Sequence, residues 1–591
     1  MGNNHIAHML RSQADKYNTR EVFRHKKSDE YIAISWNSFK EQAENISCYL
    51  VQHGIQAKDN IGIFSNNCPQ WTCTDLGIMS TRAVVVPIYA TATFEQLKYI
   101  VEETEMQILF VGDPDQLALA QKVMTASKSL QTIVCFFDCP EENKHIVSYE
   151  LISQNSCSED TKSQLDQRLT EAKSSDIATI IYTSGTTGTP KGAMLSHANF
   201  MASFKIHQIR LDLGENDVSL CFLPLSHIFE RAWTFLVLHQ GGVNVYNSNP
   251  RQIVEELPKV KPTVMCVVPR FFEKTYDGIW ATTKKWSTIQ LKIFNWAVKT
   301  GGKTIEYQKN NTNPSIGLSI KHAIANQLVH KKVRKVFGGN IRYIPCSGAS
   351  MSGELRRFFH SLGIFVNYGY GATETLATVS CMRSDIYDFE NTGTIMPEVQ
   401  VKLSDENMIL VKGETVFQGY YKKPKETEEV LKDGWYYTGD EGELLPNNTL
   451  LMKERIKDII KTSTGKYISP QKVELVLSRS ELIEQVCVIG DNRRYLTALI
   501  VPVYDHLLKF LPDSESKDIS KTLLVNHPAI IEGVKANLES IQVNLPKHEH
   551  IVNFALLDEA FSIDNSMMTS TLKVRRKQVN LTYKEVIEKL Y

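Results

Sequence analysis

The residues whose types and spacing most directly suggest chemistry run from Tyr182 to Gly192, YTSGTTGTPKG, directly behind the apolar run Ile177–Tyr182. Gly185 and Gly188 let the backbone approach an anion closely. The hydroxyls of Thr183, Ser184, Thr186, Thr187 and Thr189 can donate to phosphate oxygens, and Lys191 adds a positive charge. This composition after a buried strand reads as a phosphate-binding loop. It is not a Walker A sequence, because the fifth residue after Gly185 is Pro190 and the G-x4-G-K-[ST] spacing fails. The bland alternative is a flexible Thr/Gly surface loop.

Such a loop needs strands and helices to hold it. From about Asn60 the chain alternates strand-like runs (IGIF, AVVVPIY, QILFV) with amphipathic stretches, the order of parallel sheets with crossover helices. The rhythm resumes at Ile177–Tyr182, Val218–Phe222, Val243–Tyr246, Thr263–Val268, Ile341–Pro345 and Ile364–Tyr368. Between Phe271 and Gly338 lies a long, Lys-rich helical stretch. Its apolar residues Ile289, Ile293, Phe294 and Ala297 predict a helix packed on the sheet domain. After Arg455 a smaller α+β pattern follows: a helix from Pro470, then two strands, IEQVCVIG and YLTALIVPV, joined by a turn at Asp491–Arg494. The reading is an α/β protein. A large N-terminal domain of stacked mixed and parallel sheets with helices covers 1–454, and a small mobile α+β domain covers 455–591.

The 591 residues exceed one ordinary domain, and 66 basic residues balance 66 acidic ones. That balance gives no reason to expect nucleic-acid binding or a self-repelling disordered chain. Eleven cysteines at no zinc spacing read as reduced intracellular thiols. The start, MGNNHIAHML, has no apolar signal core, and Ile6 stands where a myristoylation site takes Ser or Thr. No apolar run approaches the ~20 residues of a membrane-spanning helix. The expected location is cytoplasmic, with peripheral contact on the inner face of a membrane left open.

The Tyr182–Gly192 string resembles the signature of the adenylate-forming superfamily: acyl-CoA synthetases, luciferase and the adenylation domains of peptide synthetases. Further pieces follow in that family's order. Ser347–Ala349, with Gly348 and Ala349, resembles the segment lying against adenine. YGYGATE at 368–374, with Tyr370, Gly371, Thr373 and Glu374, resembles the second nucleotide motif. YTGD ending at Asp440 resembles the ribose motif, KERIKD at 453–458 the hinge, and TLK ending at Lys573 the carboxyl-terminal catalytic lysine.

The resemblance implies a role for each residue. Attack of a carboxylate on the α-phosphorus of ATP brings two anions together. At 4 Å like unit charges repel by ~4 kcal/mol at an effective dielectric of 20, so cations must be placed there. Glu374 would hold Mg2+, Thr373 would donate to a phosphate, and Lys573 would bridge the carboxylate and the α-phosphate. Asp440 would bind the ribose hydroxyls with Arg455 supporting it, and Lys191 would face the leaving pyrophosphate. Lys457 would be the hinge residue. Gly465 would lie beside a coenzyme A channel, although a glycine there also suits an ordinary turn. The run Arg575, Arg576, Lys577 reads alternatively as a solvated or membrane-attracted patch.

LPLSHIFER at 223–231 resembles the motif of long-chain fatty acyl-CoA synthetases and would put His227 near the acyl and thiol junction; a structural histidine is the alternative. Some long-chain members carry a gate tryptophan four residues after this histidine. Here that position is Arg231, so the gate role is not carried over. The implied activity is long-chain fatty acid:CoA ligation, with ATP, a fatty acid and coenzyme A as substrates. The rivals are a CoA ligase for an aryl or medium-chain acid and a non-catalytic protein that only holds acyl chains or nucleotide.

Overall fold

A computed structural model describes residues 5–139, 143–155, 157–183, 190–309, 312–385, 388–512, 519–569 and 573–591. The chain forms two compact units. The first comprises Met1–Thr183, Pro190–Thr438 and Gly442–Met452; the second comprises Ser184–Thr189, Gly439–Glu441 and Lys453–Tyr591.

In the first unit the apolar runs become strands buried on both faces. One seven-stranded sheet places Asn60–Phe64 between Val84–Ile88 and Ile108–Val111, all parallel. It ends in Ile177–Thr183 beside Val84–Ile88 and the antiparallel Lys191–Ser196. The continuous Val/Ile composition of these runs is what a parallel sheet covered by helices on both sides requires. Tyr343–Cys346 and Phe365–Tyr370 form a second parallel pair, which continues antiparallel through Ser380–Cys381 and Thr394–Ile395. A four-stranded sheet joins Val218–Cys221 and Val243–Tyr246 to a hairpin of Glu21–Lys27 and Glu30–Ser35. Thr263–Val268, read as a strand, makes only isolated bridges, from Val264 to Ser219 and Tyr343 and from Val267 to Cys346.

Two expectations are corrected here. Cys48 and Cys157 form a disulfide, with Cα atoms 5.7 Å apart; the helix Trp36–Gln52 and the segment leading into Glu159–Thr170 bring them within bridging range. No other disulfide is seen among the described residues. In the helix Thr288–Lys309, Phe294 and Ala297 are buried as expected, but Ile289 and Ile293 are exposed rather than packed on the sheets.

In the second unit Ile483–Ile489 and Leu496–Pro502 pair antiparallel, with Ile551–Leu556 parallel to the latter. Arg576 is not part of a solvated patch. Its guanidinium meets Glu474 at 2.7 Å and donates to the Val488 carbonyl, fastening the helix Arg576–Thr582 to the sheet. No described helix is long and apolar enough to cross a membrane.

Candidate active site

In the first unit several of the residues the sequence singles out gather at the carboxyl ends of parallel strands, where exposed loops can bind a ligand without breaking the sheet. Ser347, Gly348 and Ala349 follow Tyr343–Cys346. Gly371, Thr373 and Glu374 follow the neighbouring Phe365–Tyr370, and Tyr368 donates its hydroxyl to the Ala349 carbonyl at 3.1 Å, joining the two segments. Gly371 is dictated by space, since a Cβ there would stand 2.0 Å from the Ala377 carbonyl oxygen. Thr373 and Glu374 are nearly buried in one helical turn, Thr373–Thr375. The turn closes through Leu376 and Ala377, both in the left-handed region at φ 46° and 75°, a local strain of the kind that accompanies functional loops.

The Glu374 carboxylate accepts a hydrogen bond from the Tyr420 hydroxyl at 2.8 Å. Lys191 lies over the same tyrosine ring, its Nζ 5.2 Å from the centroid. Tyr420 reaches both because residues 418–421 run alongside Lys191–Ser196, with Ala193 bridged to Tyr420 and the Met194 amide bonded to the Gly419 carbonyl. Ser184, Gly185, Thr186, Thr187 and Gly188 lie outside the described residues. Both ends of that loop are seen: Thr183 donates its hydroxyl to the Lys191 carbonyl at 3.3 Å across the strand pair. A carboxylate on the helix Phe94–Thr104 anchors them. Glu103 accepts from the Tyr182 and Tyr99 hydroxyls at 2.6 Å each, and Tyr99 also donates to the Pro190 carbonyl at 3.4 Å. Although burial opposes it, these donors and Lys423 hold the Glu103 carboxyl below its ordinary range.

His227 caps the helix Ile228–His239, its Nδ1 accepting the Phe229 amide at 3.2 Å. It does not line the narrow cavity of about 40 Å3 between Phe229, Trp233, Ser347, Tyr370, Ala377 and Thr378. That volume takes only a few water-sized groups, not a long alkyl chain. His207 also faces this cavity and meets the Thr378 hydroxyl at 3.0 Å; burial lowers its pKa to about 4, so it is neutral. Arg231 is a core residue. Fully buried, it pairs both ways with Asp75, Nε to Oδ2 at 2.8 Å, and donates to Thr179 at 2.6 Å.

The second unit brings together Asp440, Arg455 and Lys573. Arg455 donates from Nε to the buried Asp440 carboxylate at 3.2 Å. The Lys573 amide is held by the Thr569 hydroxyl at 3.0 Å, and its side chain reaches solvent. Crowding by surrounding protein and then the Arg455 guanidinium lower the pKa of its amine, against the pull of Asp440 and Asp458. Lys457 lies in the short turn Ile456–Asp458. Gly465 has φ 79° in the turn between Ile460–Lys461 and Tyr467–Ile468, and the space a side chain would take there is open.

This arrangement can be set against known proteins. The model of the AMP-binding enzyme family matches residues 10–421, and that of the AMP-binding enzyme C-terminal domain matches 457–591. The chain belongs to the AMP-binding enzyme family. It is 29% identical to the peroxisomal long chain acyl-CoA synthetase 7 of Arabidopsis thaliana, over 95% of this chain and 82% of that one. Identity to the long-chain-fatty-acid–CoA ligase 1 of Homo sapiens is 30%, over 94% and 82%. Among solved structures, the adenylation domain of a carboxylate reductase from Mycobacterium chelonae superposes with a TM-score of 0.73 at 21% identity, over 99% of this chain and 91% of that domain, a likeness of fold.

Within this family member, reading by motif missed Tyr420, Glu103 and His207. Each is a lone polar residue whose partner at the site, Glu374, Tyr182 or Thr378 respectively, lies far along the chain, without a local pattern to mark it.

Proposed function

We propose that the chain is an AMP-forming ligase that joins a long-chain fatty acid to coenzyme A. The observation that carries this reading is the Glu374–Tyr420–Lys191 cluster at the strand ends, in a chain similar over nearly its whole length to long-chain ligases. A fatty carboxylate oxygen attacks the α-phosphorus of ATP. The bond to the bridging oxygen breaks, and pyrophosphate leaves toward Lys191 and the loop 184–189. The thiolate of coenzyme A then attacks the acyl carbonyl of the mixed anhydride, and AMP departs.

In the first step Lys573 stabilises charge on the reacting oxygens, Thr373 donates to a phosphate oxygen, and Gly348, Ala349, Tyr370 and Gly371 border the base. Asp440 accepts from the ribose hydroxyls, with Arg455 holding its carboxylate in place. A single carboxylate such as Glu374, oriented by Tyr420, fits Mg2+, which takes one or two protein oxygens and fills its shell with phosphate and water. Bound there, the ion would neutralise phosphate charge. The domain division at 454/455, with Lys457 as hinge and Gly465 beside the pantetheine arm, belongs to the same proposal. An alkyl chain entering the cavity beside Phe229 and Trp233 would need more room than its volume of about 40 Å3, so those side chains would have to move to admit one.

Pyrophosphate release measured across acetate, benzoate, octanoate, palmitate and oleate tests the reading. Release with the long-chain acids, and AMP and thioester formed in equal amounts, is expected. Response only to aryl or medium-chain acids shifts the substrate, and binding of oleate and ATP without release makes the chain a binding protein.

A further inference from the structure

The helical stretch after residue 283 departs from the neutral balance of the chain. Residues 284–335 carry eleven Lys and Arg against one acid, Glu306, and that acid is paired with Arg357. The same stretch also exposes a row of large apolar side chains. On the helix Ile316–Ala325 and its continuation, Ile316, Ile320, Ile324 and Leu328 recur at every fourth residue; Ile316 is 81% and Ile320 56% exposed. Four α-helical residues overshoot a turn by about 40°, and the wider π-helical turn Asn326–His330 brings the row back, so the four stay on one ridge.

The preceding helix, Thr288–Lys309, packs against this one and adds Ile289, 71% exposed, and Ile293. His330 meets the Ala297 carbonyl at 3.1 Å, and with the short connection between the helices this makes them antiparallel. Leu328 therefore stands level with the middle of the longer helix, and Ile289 and Ile293 lie beyond it. Both helices of the hairpin thus expose large apolar side chains, and the longer one, of 22 residues, is roughly 33 Å long. The opposite side, with Phe294, Ala297, Val329 and Val333, fills the core beneath. Exposed isoleucines in a contiguous row are costly in water and mark an interaction surface.

We infer that this hairpin is a docking surface for an anionic lipid bilayer, with the isoleucine ridge entering the headgroup boundary and Lys292, Lys299, Lys303 and Lys321 meeting lipid phosphate and carboxylate groups. Charge complementarity selects this occupant. A second copy of the hairpin would bring two strongly basic faces together, whereas an anionic leaflet attracts each lysine and accepts the apolar ridge. An amphipathic face of this kind lies in the interface plane and does not cross the membrane. The proposal stands on the surface alone and is independent of the acyl-CoA reading, because binding can be scored without turnover.

The test is co-sedimentation of the full chain with vesicles of phosphatidylcholine alone or mixed with phosphatidylserine, at low and high salt. Partitioning onto the mixed vesicles that weakens with salt, and little onto phosphatidylcholine, is expected. Two variants separate the components: Ile316→Ser/Ile320→Ser removes the ridge, and Lys292→Glu/Lys299→Glu/Lys303→Glu reverses the charge. Each is expected to lower the vesicle partition coefficient about tenfold or more, with the thermal transition unchanged because the altered side chains are exposed. Equal partitioning of wild type and both variants overturns the inference. So does a wild-type dimer in solution that Ile316→Ser/Ile320→Ser dissociates without vesicle binding, which would make the ridge a protein interface.

Discussion

Glu230 offers a quantitative test of the loop that carries His227. The carboxylate is fully buried on the first turn of the helix Ile228–His239. Its Oε2 accepts the Leu223 amide at 3.0 Å and the Cys266 thiol at 3.5 Å, while no partner is seen for Oε1. Burial pushes its pKa up to about 8, with the Leu223 amide opposing. An unfolded glutamate titrates near 4.3, so between about 4.3 and about 8 the folded chain holds a proton that the unfolded chain has released. Stability therefore falls as pH rises through this window, by up to ~1.4 kcal/mol per unit, and the accumulated cost near pH 7 is on the order of 4 kcal/mol. Glu230→Gln keeps the shape and an acceptor for Leu223 but cannot ionise. It should be more stable than wild type at pH 7.5, with the gap narrowing by ~1.4 kcal/mol for each unit of acidification. Urea unfolding followed by tryptophan emission is the assay, because all seven tryptophans, from Trp36 to Trp435, lie in the first unit. Parallel stability profiles for the two proteins between pH 5.5 and 7.5 would refute a buried, protonated Glu230.

Three further outcomes follow from the same geometry. Arg231→Met leaves the buried Asp75 carboxylate without its cation and should cost about 3–5 kcal/mol in the same assay, whereas Arg231→Met/Asp75→Leu should recover most of it; equal losses would deny the ion pair. Lys573→Ala should slow pyrophosphate release about a hundredfold or more while leaving thioester formation from supplied acyl-adenylate within a few-fold, and equal loss of both steps would remove the assignment. Gly465→Asn retains a residue that tolerates φ 79° but adds volume; it should slow the thioester step and spare adenylation, and full activity in both would leave Gly465 a turn residue.

The sheet strands were legible because a strand covered on both faces must be apolar throughout, and runs such as Val84–Ile88 say so locally. The hairpin Glu21–Lys27 and Glu30–Ser35 was not, since an edge pair of mixed polar residues carries no such run. Helical periodicity at Ile289, Ile293, Phe294 and Ala297 reported that these positions share a helix but not what covers them, and only Phe294 and Ala297 found a partner within the chain. The candidate nucleotide segments stand out in the sequence because glycines and hydroxyls must be contiguous to wrap an anion. Their supports do not. Glu103 is 79 residues from Tyr182, and Tyr420 is 46 from Glu374, each a single side chain delivered by the fold. Arg576 shows the same limit from the other side: within a basic run it looks solvated, and only the sheet brings Glu474 to it. Local sequence encodes groups that act together as neighbours, whereas a polar partner supplied from a distance leaves a mark of one residue. The positioning of this site therefore had to be read from structure even where its chemistry could be read from sequence.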